Sequence, residues 1–321
     1  MRENRDGVLH ALNYGEVSSV AVDPIEKKPL FHFHPASTAF SVGGWGCNFH
    51  CLHCQNWEIA CTDLPAGTQY LSPEEQVRLA SRHRCDGIAW TYNEPAVWFE
   101  YTLDCAKLAH ARGLYTVYVT NGFLTPEALD MIGPWLDAWR VDVKGFNSVL
   151  YSRLARIREW RGILDVAVRA RRRWNMHVEV VTNLIPGWND DDEQLGGIAG
   201  WIAGELGDLT PWHVTRFFPM HKLSDASPTS PALIQHAMDV GYGAGLKFVY
   251  SGNMGGQEED TVCYSCGRTI IRRIGYHSEV LALHGSVCAH CGAELNVRMH
   301  EAPRGNRGDC DTGVARPQEA S

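Results

Sequence analysis

The chain has 321 residues, of which 45% are hydrophobic, enough for one large α/β domain and a small appendage. A formal net charge of −8 argues against nucleic acid as the general partner. No apolar run reaches the roughly 18 residues of a membrane span, and the charged start Met1–Gly7 has no apolar signal region, so a cytoplasmic protein is expected.

Residues 1–38 show no strong periodicity. Asp23-Pro24 and Lys27-Lys28-Pro29 predict turns, so this segment reads as an irregular lead-in strapped across the main domain. His32 and His34 alternate with Phe31 and Phe33 and read as hydrogen-bonded strand or loop residues, not ligands. From residue 39 to about 255, short apolar runs alternate with helical segments. The runs are Ala39–Val42, Gly87–Thr91, Tyr115–Thr120, Ala138–Val143, His177–Thr182, Trp212–Phe218 and Lys247–Tyr250. Ser72-Pro73-Glu74-Glu75, Thr125-Pro126 and Ser230-Pro231 mark helix starts, and Gly113 closes a helix over roughly residues 96–112. Fully apolar strands suit parallel pairing with helices outside, in a barrel or an open doubly wound sheet. An arginine-rich stretch, Arg153 to Arg173, reads as a solvated helix face, with a partner-docking surface as the alternative. Residues 261–299 form a small cysteine-bearing module. Residues 300–321 are Gly-, Pro- and charge-rich and are expected to be a disordered tail carrying an unpaired Cys310. Cys61, Cys85 and Cys105 read as ordinary core or near-core residues.

Cys47, Cys51 and Cys54 are spaced C-x3-C-x2-C on a turn after the first apolar run. Iron–sulfur clusters usually take four thiolates. Three from one loop leave one iron open to a small molecule. A zinc site completed by His50 or His53 is the alternative. Polar residues then recur at the ends of the later strands: Thr91-Tyr92-Asn93-Glu94-Pro95, Thr120-Asn121-Gly122, Asp142-Val143-Lys144, Thr182-Asn183, and His213 and Arg216 leading to Pro219-Met220-His221. In parallel barrels these ends build the active site. The set suits a zwitterion: Glu94 for an ammonium, Lys144 for a carboxylate, Asn93 and Asn121 for hydroxyl or carboxylate oxygens. Asp142 and Lys144 share a strand face and either pair with each other or meet the ligand. His213 reads as a core histidine.

Cys263, Cys266, Cys288 and Cys291 form two C-x2-C knuckles, the spacing of a zinc ribbon. With all four positions filled, the site reads as structural, and the module could contact a partner protein. A rubredoxin-like iron or a second cluster is the alternative.

Residues 40–253 resemble the radical S-adenosylmethionine (SAM) enzymes related to pyruvate formate-lyase activating enzyme, and most closely the radical SAM member of the group called AmmeMemoRadiSam. The resemblance rests on Cys47/Cys51/Cys54 with Gln55-Asn56-Trp57, Tyr92-Asn93-Glu94-Pro95, Thr120-Asn121-Gly122, Asp142-Val143-Lys144, Ile185-Pro186-Gly187-Trp188-Asn189-Asp190 and Phe218-Pro219-Met220-His221. It implies an α/β fold, a partial (β/α)6 TIM-like barrel with the seventh run beside it and the zinc-ribbon-like module appended. It further implies a 4Fe-4S cluster on Cys47, Cys51 and Cys54, and SAM cleaved to a 5′-deoxyadenosyl radical that abstracts hydrogen. Asn93 and Glu94 would meet the SAM amino group, and Asn121, Asp142, Lys144 and His221 would line its pocket. A flavodoxin- or ferredoxin-type electron donor and a glycine of a partner protein as substrate follow by the same likeness. Activating enzymes usually carry Gly-Gly-Glu at Tyr92-Asn93-Glu94 and often Asp at Val119, near a cation. Members of the AmmeMemoRadiSam group also tend to carry a cysteine-bearing segment ahead of the Arg2–Gly7 run. Two other functions compete: radical modification of RNA, and a non-catalytic electron-transfer or scaffold protein.

Overall fold

The computed structural model describes residues 1–254 and 259–299; Cys310 and the tail from residue 300 lie outside the described residues. Eight strands form the central sheet: β1 (Ser19–Pro24), β2 (Thr38–Gly43), β3 (Gly87–Trp90), β4 (Tyr115–Thr120), β5 (Ala138–Asp142), β6 (His177–Leu184), β7 (Trp212–Arg216) and β8 (Val249–Gly252). They lie in sequence order, β2 to β8 parallel and β1 antiparallel to β2. The seventh apolar run is thus a true strand, joined to β7 at one edge. Helices α1 (Pro73–Arg82), α2 (Phe99–His110), α3 (Pro126–Ile132), α4 (Ser148–Leu154), α5 (Arg161–Trp174), α6 (Asp192–Trp201) and α7 (Pro231–Gly243) fall between the strands.

The three proline-marked starts cap as their residue types dictate. Ser72, Thr125 and Ser230 each accept from the main-chain N–H three residues on. At Ser72 the capping box is half made, because the Glu75 carboxylate turns to Arg78 Nε, 2.6 Å away.

Alternation along the strands sorts the two faces. Phe40, Val42, Ile88, Trp90, Tyr118, Trp139, Val141, Trp212 and Val214 point outward into the core shared with the helices. The inward residues of β2 to β5 that meet the lead-in are mostly small, namely Ala39, Ala89, Val117 and Ala138, with Tyr115 the large exception. The space they leave is filled from the lead-in, whose Ile25, Leu30 and Phe33 are fully buried against them. Residues 1–38 are therefore more ordered than their composition predicts. They contain a hairpin (Arg2–Arg5 with Val8–Ala11), the edge strand β1 and a plug in the barrel floor. The reason β1 is hard to read is its inverted polarity: Val20 and Val22 are about two-fifths exposed, while Asp23 is 4% exposed.

After β8 comes a three-stranded antiparallel sheet, Thr261–Val262, Thr269–Ile274 and His277–Val280, and a short ladder of Leu283–His284 with Val287–Cys288. This module packs on the barrel: Ile270, Ile271, Leu295 and Val297 share a core with Phe31, Phe248 and Tyr250. A buried polar hub joins lead-in, barrel and module. Glu179 on β6 accepts from the main-chain N–H of Phe31 (3.0 Å) and His32 (2.8 Å), and meets His177 Nε2 at 2.9 Å and His213 Nε2 at 2.6 Å. Arg273, fully buried, donates to the carbonyls of Phe31 (2.6 Å) and Glu259 (2.9 Å) and to Thr261 Oγ1 (2.7 Å). His32 touches Leu295 O (2.9 Å) and Tyr250 Oη (2.7 Å), as expected of a hydrogen-bonded loop histidine. His213 is likewise a core histidine.

Candidate active site

One cavity of about 720 Å³ opens where the parallel strands end. Cys47, Cys51 and Cys54 line it, on the loop that leaves β2. Burial pushes the thiol of Cys51 up to about 11 and raises those of Cys47 and Cys54 as well. Donors already aim at sulfur: Phe49 N–H lies 3.3 Å and Asn121 Nδ2 3.7 Å from Cys47 Sγ. Among the described residues, the group of ligand atoms that converges within 4.8 Å is the C-terminal one, and the N-terminal trio lies outside it.

Around the thiols stand the predicted polar residues. Glu94, 1% exposed, follows β3 and accepts from Ala96 N–H (2.9 Å), Thr120 Oγ1 (2.7 Å) and Asn121 N–H (2.7 Å). Burial outweighs these bonds and raises its carboxyl to about 7. The Asn93 amide is engaged with the cysteine loop itself, accepting from Gly44 N–H and donating to Gly46 O, both at 3.0 Å. Asn121 donates to Asn48 Oδ1 at 2.8 Å. Asp142 and Lys144 do pair, Nζ to Oδ2 at 3.1 Å, and both line the cavity. Against the cost of its burial, nearby Asp142 holds the Lys144 ammonium above its ordinary pKa. Of the six predicted SAM-pocket residues, His221 alone is not in the lining; it stacks on Trp57, ring centroids 5.2 Å apart.

Three features lay beyond the sequence reading. Arg140 completes the row with Asp142, to which it donates, and Lys144; the alternate spacing Arg140-x-Asp142-x-Lys144 was its available signal. Asp23 and Lys28, from the lead-in, form a buried pair (2.6 Å), and Lys28 lines the cavity; no local pattern announces that the lead-in reaches into the barrel. Tyr92 has φ of +75°, a conformation suited to the glycine that the resembling enzymes carry. Its hydroxyl donates to Asp23 (2.8 Å), its ring lies 5.1 Å from the Lys28 ammonium, and its carbonyl accepts from Asn56 Nδ2 (2.7 Å).

In the module, the thiols of Cys263, Cys266, Cys288 and Cys291 lie within 4.8 Å of one another, so the group can hold a metal ion. Gly267 and Gly292 follow with φ of +71° and +76°, the turn each knuckle needs. The hairpin tip Gly275-Tyr276 reaches the active-site cavity and forms part of its wall.

Three cysteines at the mouth of a parallel αβ barrel are thus ringed by carboxylate, amide and ammonium groups. The family model described as Radical SAM superfamily matches residues 43–196, and the chain belongs to that superfamily. It is 38% identical over 302 residues to the uncharacterized protein MJ0808 of Methanocaldococcus jannaschii, covering 92% of this chain and 89% of that protein. A second protein of that organism, MJ1632, provisionally named a glycyl-radical enzyme activating enzyme, is 25% identical over 46% of this chain and 57% of its own length. A radical SAM methyltransferase from Sphaerobacter thermophilus superimposes with a TM-score of 0.52 at 18% identity, over 68% of this chain and 67% of that one, which shows the fold alone. Membership implies a 4Fe-4S cluster and SAM, and radical SAM enzymes typically need an electron donor.

Proposed function

We propose that this radical SAM enzyme cleaves SAM reductively and takes a hydrogen atom from a partner protein, in the manner of glycyl-radical enzyme activation. The observation that carries the reading is co-location: Cys47, Cys51, Cys54, Asn93, Glu94, Asn121, Asp142 and Lys144 all border one cavity. When bound, a 4Fe-4S cluster supplies the electron that splits SAM into methionine and a 5′-deoxyadenosyl radical. The chain's own residues bind and shield. Glu94 Oε2 accepts a single main-chain bond, which leaves a lone pair for the SAM ammonium. Lys144, flanked by Asp142, would take the SAM carboxylate, and Asn121, which reaches Cys47 Sγ, would bind the ligand beside it. Asn93 acts by fixing the cysteine loop. His221 stacks on Trp57 beside the cysteine loop and is left out of the SAM-binding set. The buried floor of Lys28 and Phe31 keeps bulk water from a reactive carbon radical.

The protein-substrate half of the proposal draws on similarity to MJ1632 and on two exposed aromatics in the cavity wall, Phe218 and Tyr276, which are suitable anchors for a polypeptide. The C-terminal thiols hold zinc, as four converging cysteines commonly do, and the metal is structural. A flavodoxin or ferredoxin delivers the electron.

Anaerobic reconstitution with iron and sulfide, reduction and addition of SAM tests the first half. Methionine and 5′-deoxyadenosine are expected, lost with Cys51→Ala and kept with Cys61→Ala. Normal cleavage by the Cys51 variant would end the cluster assignment. Deuterium passing from a labelled protein into 5′-deoxyadenosine tests the second half; label arriving only from small molecules or RNA rejects it.

A further inference from the structure

The arginine-rich stretch divides in two. Arg169 and Arg172, on the later turns of α5, are paired with Asp130 and Glu205. Arg153, Arg156, Arg158 and Arg161, between α4 and the start of α5, are exposed, and among the described residues none makes an ion pair. Glu159 is the one carboxylate in that run.

This half, in which Arg153 lies over the Trp188 ring and Arg161 over the Trp160 ring, lies against the cysteine loop. His50 N–H donates to Ala155 O (3.2 Å) and Leu52 N–H to Leu154 O (2.9 Å), so Cys51 is bracketed by main-chain bonds to the arginine segment. Lys222, also exposed, donates its N–H to Leu52 O (3.0 Å) and extends the basic surface across the loop. Arg156 stands just past the end of α4 with φ of +65°, a position where glycine is the unstrained choice. An arginine held there keeps a cation beside the loop at the expense of local strain.

Resting on the radical SAM reading, we propose that Arg153–Arg161 with Lys222 is the docking surface for a small acidic one-electron carrier protein. The carrier gives up one electron and is oxidised by one, the cluster gains one, and no proton need move. Charge complementarity selects the occupant. The chain is net negative, so a local basic patch both orients an acidic carrier and speeds its encounter. The patch lies where the cysteine loop meets the surface, which keeps the electron's path short.

The test uses the full reconstituted chain with flavodoxin as the probe and dithionite as a reductant that needs no docking. One variant pair reverses charge, Arg156→Glu with Arg158→Glu. A second, Arg156→Gly with Arg158→Gln, removes charge while relieving the strain at residue 156. A control pair, Arg82→Glu with Arg112→Glu, changes charge at exposed helix ends on the opposite side of the barrel. Wild-type flavodoxin binding should weaken steeply as salt rises from 50 to 300 mM. Charge reversal should weaken binding and flavodoxin-driven SAM cleavage at least tenfold, and the neutral pair severalfold. Dithionite-driven cleavage should stay within twofold in the neutral pair, and the control pair should match wild type throughout. Flavodoxin affinity unchanged in the neutral pair would overturn the proposal. So would an RNA that binds wild type in place of flavodoxin and is lost with the same variants. Absence of cleavage by wild type with dithionite would instead sink the radical SAM reading, and the binding arm would still decide the docking surface.

Discussion

Glu94 combines burial with a vacancy for one more hydrogen bond, and its carboxyl titrates at about 7. An ammonium is held by the carboxylate, not by the acid. SAM affinity should therefore rise with pH from 6 to 8, as Glu94 loses its proton. Glu94→Gln should flatten that profile and weaken binding tenfold or more, in line with about 1.5–3 kcal/mol for a hydrogen bond to a charged group; calorimetric titration with SAM across that range checks both. Tyr92 offers a second test. Tyr92→Phe keeps the left-handed backbone but leaves Asp23 with its lysines alone, and should cost about 1 kcal/mol in a denaturant titration. The polar residues that border the cavity were largely legible because they sit at strand ends in motifs. Their partners were not: Asn93 was read as a ligand contact, yet both ends of its amide are engaged with main chain 47–49 residues away in sequence.

At the scale of elements, hydrophobic runs and proline-led caps located β2 to β8, because strands buried on both faces are apolar throughout and cap chemistry is local. β1 escaped because its exposed residues are valines and a buried one is aspartate. The lead-in escaped because a plug needs only shape, which no periodicity records. The module was legible as a metal ribbon but not as part of the cavity wall. Beside the shared apolar core, that attachment relies on the bonds of buried Arg273. Arg273→Met should strand the carbonyls of Phe31 and Glu259 and cost about 3 kcal/mol or more, since each buried polar group left bare costs about 1–3 kcal/mol. A chemical denaturation midpoint followed by tyrosine and tryptophan fluorescence would register the loss.

For the whole molecule, the hub makes stability depend on acid. Burial drives His32 down to about 3, with His177 and His213 also lowered, so all three are neutral in the folded chain near pH 7. Unfolded histidines take up protons below about 6.5. Stability is thus full above that pH and falls as pH drops through it, by about 2 kcal/mol at pH 5 from His32 alone. Glu179, held well below the usual carboxylate range in spite of its burial by its bonds to His177 and His213, adds loss in the same direction below about 4.5. Thermal melts from pH 8 to 5 should show the midpoint falling. A chelator strong enough to strip the four-cysteine site should lower the melting temperature at pH 7.5 and expose residues 261–299 to protease, because a module this small has little core without its metal.

The two flanks of the barrel also grip one another. Arg298 N–H donates to His32 O (2.8 Å), His34 N–H donates to Arg298 O (2.7 Å), and Phe33 bridges to Arg298. The polypeptide is buckled beneath its own barrel like a belt. Shortening it from the rear, as far as Gly252, would undo the buckle and strip the Tyr276 hairpin from the chamber, so a trimmed version should lose the ability to quench-proof a radical even with every cluster ligand intact.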